Sequence, residues 1–121
     1  MTKYMVLLPA NEASWAESTP EEKAAGYEVH GRFAKLLTER GHKVTGGAEL
    51  HHSSKAKTLR TTGDGVAVTD GPFAETVEQV TGFYLIDTDD LEDMLECCKV
   101  LADRETAIEV REVVEHEGLS A

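Results

Sequence analysis

"VTDGPFAETVEQVTGFYLID", residues 68–87, decides the fold. It opens as a strand and breaks at Asp70-Gly71-Pro72-Phe73. From Gly82 to Asp87 it is a strand again, and here bulky apolar groups fall on both faces. Residues 3–8 show the same two-faced pattern, with Tyr4, Val6 and Leu8 on one side and Met5 and Leu7 on the other. Side chains alternate along a strand, so a sheet built from such strands must be covered on both faces.

Helices come next, working outward. Thr19-Pro20-Glu21-Glu22 is a helix start: a capping threonine, proline at the first helical position, and a glutamate placed to close a capping box. The spacing predicts a helix to about Arg40, stopped by Gly41. At about 100° per residue, Gly26, Tyr27, His30, Phe33, Ala34 and Leu37 share its apolar face. A second helix is expected after Asp89 as cap with Glu92 as its reciprocal partner, and with Leu91, Met94, Leu95, Cys98, Leu101 and Ala102 as its stripe. Residues 9–18 read as a polar loop carrying Trp15. Residues 43–50 and 107–114 read as strands, and 57–62 with 65–69 as a hairpin turning at Asp64-Gly65.

The order is β-α-β, a hairpin insertion, then β-α-β. This is an α+β, ferredoxin-like split βαβ arrangement in a single domain over residues 1–121. Two helices cover one face of the sheet. A second copy of the same sheet is the simplest cover for the other, so a homodimer is expected.

Composition bounds the partners. The chain carries 23 acidic and 12 basic residues, a formal net charge of −11. That field repels phosphate backbones and anionic bilayers, so direct nucleic-acid or membrane binding is not expected. No apolar run approaches the roughly 20 residues of a membrane span. The two cysteines, Cys97 and Cys98, are adjacent and form no disulfide framework, which suits a reducing, cytoplasmic setting.

The segment Thr69-Asp70-Gly71-Pro72-Phe73-Ala74-Glu75-Thr76, followed by Gly82–Asp87 and Asp89-Asp90-Leu91, resembles the DGPF subgroup of the YCII-related family. The likeness extends over nearly the whole chain. It takes in Lys3-Tyr4-Met5, Glu12 with Trp15, Gly46-Gly47, and Ile108-Glu109-Val110-Arg111. The resemblance implies a dimeric α/β barrel and an active site built on a histidine and an aspartate. It also implies a family largely without assigned biochemistry, some of whose members accompany extracytoplasmic-function sigma factors. His51-His52, where relatives commonly carry small residues or proline, and Val77, where a charge is usual, depart from the pattern.

Asp70 and His30 are the candidate catalytic pair. Pro72 fixes its own φ, Gly71 permits the turn, and Phe73 can anchor the loop in an apolar pocket, so Asp70 sits on stiff backbone. A carboxylate on one nitrogen of His30 would leave the other for acid-base work. The plainer alternatives are a turn aspartate and a satisfied core histidine. Trp15, Arg60, Gly71, Pro72 and Phe73 are candidate binding residues. Arg60 on a hairpin strand is more often a cross-strand ion-pair partner, and Trp15 is equally readable as a plug beneath its loop. His51 and His52 project to opposite sides of an extended segment. No CxxC, HxxxH or HExxH spacing occurs, so neither a metal nor another cofactor is expected. The leading expectation is cofactor-free proton transfer on a small molecule. The alternative is a non-catalytic regulatory or ligand-sensing module, associated with a sigma factor.

Overall fold

Thr19 begins the longest helix as the sequence dictates. In a computed structural model, which describes residues 1–102 and 107–116, its hydroxyl accepts from the Glu22 amide at 3.1 Å, and the Glu22 carboxylate accepts from the Thr19 amide at 3.0 Å. The elements run β1 (Thr2–Asn11), α1 (Glu12–Ala16), α2 (Pro20–Glu39), β2 (Lys43–Glu49), a 3₁₀ turn (Ser53–Lys55), β3 (Lys57–Thr62), β4 (Gly65–Asp70), β5 (Glu78–Thr88), α3 (Leu91–Ala102) and β6 (Glu109–Glu112). No helix among the described residues is long and apolar enough to cross a membrane.

β2, β5, β1 and β6 form a four-stranded antiparallel sheet in that order, while β3 and β4 pair only with each other. Each βαβ unit therefore straddles a strand of the other, and the expected α+β, ferredoxin-like arrangement is found. One face of the sheet buries Val6, Leu8 and Ile86 against Val29, Phe33 and Leu37 of α2 and Met94, Cys97, Cys98 and Leu101 of α3. Burying each large side chain contributes about 1.5–3 kcal/mol before entropy is counted. The alternate residues Met5, Leu7, Phe83 and Leu85 project to the other side and are half-buried. At the end of that face Lys3 bridges Asp87 at 3.0 Å and donates to Thr45.

Local chemistry revises three expectations. Residues 12–16 are a short helix rather than loop, because the Asn11 side chain caps the Ser14 amide at 3.1 Å. The cap of α3 is Asp90, whose carboxylate accepts from the Asp93 amide at 3.1 Å; Asp89 instead meets the amino terminus at 3.4 Å. Cys97 is fully buried in the α3 stripe whereas Leu95 is exposed. Along β5, pairing with β1 shifts between Leu7 and Pro9. Pro9 lies beyond the end of β6, where its missing N–H breaks no ladder.

The hairpin is an arm. Leu59, Val66 and Val68 occupy one face, with Leu59 opposite Val68 and Val66 opposite Thr61, and each is more than 60% exposed (67%, 63% and 64%).

Candidate functional site

Small residues open a cavity where the sheet leaves α2. Gly47, Ala48 and Gly82 lie side by side at the β2–β5 seam, and buried Gly26 faces them from α2. The seam is tight: a Cβ on Gly47 would sit 2.7 Å from the Phe83 carbonyl oxygen, and one on Gly82 2.9 Å from that of Ala48. With nothing larger than a methyl group at these three positions, a cavity of about 760 Å³ remains, walled by α1, α2 and residues 49–52. That volume suits a small organic molecule.

Three pairs of polar groups furnish it. His30, one helical turn before core Phe33, places Nδ1 2.8 Å from the Tyr84 hydroxyl across from β5. Phe33 packs edge-on against the Tyr84 ring at 5.1 Å and fixes it from behind. Tyr27 donates to both carboxylate oxygens of Glu49, at 3.1 and 3.0 Å. That hydrogen bond first, then burial and the carboxylate's charge, pushes the Tyr27 pKa above its ordinary value, so the phenol stays protonated at neutral pH. Buried Glu12 accepts from the Ser53 amide at 2.7 Å and the Ser53 hydroxyl at 2.5 Å, with His52 Nε2 at 3.8 Å. Glu12 thereby ties α1 to the loop that forms the far wall. Trp15 stands over Tyr27 in a T-shaped contact of 5.5 Å, with Lys23 above its ring.

The residues singled out from sequence divide between this cavity and the arm. His30 and Trp15 line the cavity, as do His51 and His52. Asp70 does not. It ends β4 with its side chain 80% exposed and accepts from Lys57, its cross-strand neighbour. The expected His30–Asp70 pair is therefore not formed within one chain. Gly71, Pro72, Phe73 and Arg60 belong to the arm as well. Gly71 adopts φ +101°, gives its N–H to the Ala56 carbonyl at 2.7 Å and takes the Thr58 hydroxyl at 2.7 Å. Phe73 fills no pocket; it is 78% exposed beneath the Arg60 guanidinium, which also donates to its carbonyl oxygen at 2.8 Å. Arg60 is thus a clamp on the Pro72-Phe73 turn, not a cross-strand ion pair. Sequence reading missed Tyr84, Glu12 and Glu49. Tyr84 carried a signal, being the polar-tipped member of an otherwise apolar strand.

Comparison with known proteins fits this architecture. The YCII-related domain matches residues 2–117. The chain belongs to the YCII-related family. It is also similar to an uncharacterized protein of Rhizobium meliloti (strain 1021), 45% identical over 56 residues, which cover 46% of this chain and 45% of that protein. The chain thus matches under half the length of that relative.

Proposed function

We propose that this YCII-related protein carries out cofactor-free proton transfer on a small organic molecule held in the cavity. The observation that carries the proposal is the His30–Tyr84 hydrogen bond at 2.8 Å on the cavity wall. A hydroxyl on Nδ1 orients the imidazole and couples the protonation of its two nitrogens, which fits the ring for acid-base work on a bound molecule. Tyr27, whose O–H donates to Glu49, offers its oxygen as an acceptor for a substrate N–H or O–H, and Trp15 supplies an apolar wall. In this reading Tyr84 takes the positioning part that the sequence assigned to Asp70.

The segment Thr69–Thr76 supports assignment to the DGPF subgroup, and the half-buried Met5, Leu7, Phe83 and Leu85 support a homodimer joined through that sheet face. Light scattering should give about twice the 13.2 kDa of one chain. Two free, adjacent cysteines favour a reducing cytoplasmic location. The test of the chemistry is solvent-deuterium incorporation, followed by NMR, across a panel of small carbonyl acids and enolisable ketones. Exchange by the wild type that His30→Gln abolishes is expected; exchange that survives this substitution refutes the proposal.

One feature favours the second reading, a regulatory module that partners a sigma factor: the exposed Leu59, Val66 and Val68 face of the arm. Co-purification with a sigma factor, lost on Val68→Asp, would support it over catalysis.

A further inference from the structure

A second cluster lies away from the cavity, where α2 ends and α3 begins. Gly41, at φ +84°, closes α2, and the chain turns His42 inward until it is 5% exposed. There His42 meets Asp93 and the fully buried Cys97, one turn apart on α3. One nitrogen, one carboxylate oxygen and one sulfur converge, all within 4.8 Å of one another.

We propose that His42, Asp93 and Cys97 bind a borderline divalent cation of the Zn²⁺ class, with a fourth position left for water or another small ligand. Mixed imidazole, carboxylate and thiolate donors suit such ions and suit Mg²⁺ or Ca²⁺ poorly.

Two surrounding contacts resemble the outer supports of a metal site. The Thr88 hydroxyl lies 2.7 Å from His42 Nδ1 and already accepts the Asp90 amide at 2.9 Å. Its oxygen has a second lone pair to take a proton from Nδ1, which leaves the Nε2 lone pair for a metal. Asp93 is divided in the same way. Oδ2 faces His42 Nε2 at 2.7 Å, while Oδ1 is held from the more exposed side by Arg40 at 3.3 Å. One oxygen is thus turned into the cluster and the other anchored from outside it. The competing account is a hydrogen-bonded tether of His42 to Asp93 and Thr88 that pins α2 to the β5–α3 turn. In that account Cys97 is only a core residue.

Titration with Co²⁺ separates the two, because only a cobalt-bound thiolate gives a near-ultraviolet charge-transfer band. We expect the band to saturate at one equivalent, to vanish in Cys97→Ser and His42→Gln, and to persist in Cys98→Ser and in His51→Gln/His52→Gln. Zn²⁺ should displace the cobalt and raise the melting temperature of the wild type but not of Cys97→Ser. If Cys97→Ser does not fold, Asp93→Asn serves, with an expected loss of affinity of at least about tenfold. Cobalt bound without a thiolate band, a band that survives Cys97→Ser, or undiminished affinity in Asp93→Asn overturns the proposal.

Discussion

Glu12 offers the sharpest test of how the cavity wall is built. Its carboxylate is buried and accepts two hydrogen bonds from one residue, the amide and the hydroxyl of Ser53. Truncation to alanine removes both. Hydrogen bonds to a charged group are worth about 1.5–3 kcal/mol each. Ser53 is half-buried, so water replaces part of what is lost. A net cost of about 2–4 kcal/mol is expected, a large fraction of the roughly 5–15 kcal/mol that stabilises a domain. For a chain of this length that lowers the melting temperature by about 8–16 °C. The loss should be local first. Hydrogen exchange at the Ser53 amide should rise about tenfold for each 1.4 kcal/mol lost. Glu12→Gln keeps an acceptor for the amide and should cost about half as much. A double-mutant cycle with Ser53→Ala should return a coupling of about 1–2 kcal/mol. A Glu12→Ala protein that melts within a degree of wild type, with unchanged exchange at Ser53, would sink the claim that this carboxylate joins α1 to the wall.

Other consequences follow from packing and charge. Phe33 is fully buried and braces Tyr84, so Phe33→Ala should cost about 3–5 kcal/mol in chemical denaturation. Gly82→Ala would set a Cβ 2.9 Å from the Ala48 carbonyl oxygen and force β2 from β5; a loss of about 1–3 kcal/mol is expected, read by thermal melting. Lys57→Ala removes only an exposed pair with Asp70, so stability should change by less than about 1 kcal/mol in the same assay. The Cys98 thiol is pushed up to about 11 by burial first and then by neighbouring Cys97. The unfolded thiol therefore deprotonates first as pH rises. The stability this group contributes is complete below about pH 8.5 and lost as pH climbs towards 11. A pH series of melts on wild type and Cys98→Ala should diverge in that window, and parallel curves would contradict the assignment.

Signals confined to a few neighbouring residues were legible in the sequence. Thr19, Pro20 and Glu22 set the start of α2, and the two-faced strands at 3–8 and 82–87 set the sheet. Where two adjacent residues could cap, tertiary contacts chose: Thr88 accepts the Asp90 amide, and Asp90, not Asp89, caps α3. The sites were less legible because their members are remote in sequence. His30 and Tyr84 are 54 residues apart, and His42 lies 46 and 51 residues from Thr88 and Asp93. No spacing rule joins such partners. Asp70 misled for the opposite reason. Its neighbours Gly71 and Pro72 announced a rigid backbone, but that rigidity serves a turn fastened to Ala56 and Thr58.

The glycine seam restricts how this cavity can diversify. At Gly47 and Gly82 even a methyl group meets main-chain oxygen. Main chain cannot be trimmed by substitution, so those positions are closed to selection for a new ligand shape. Variation must fall on the opposite wall, at residues such as Trp15, Leu50, His51 and His52. The floor therefore sets how deep a ligand can sit, while the wall is free to change which ligand that is.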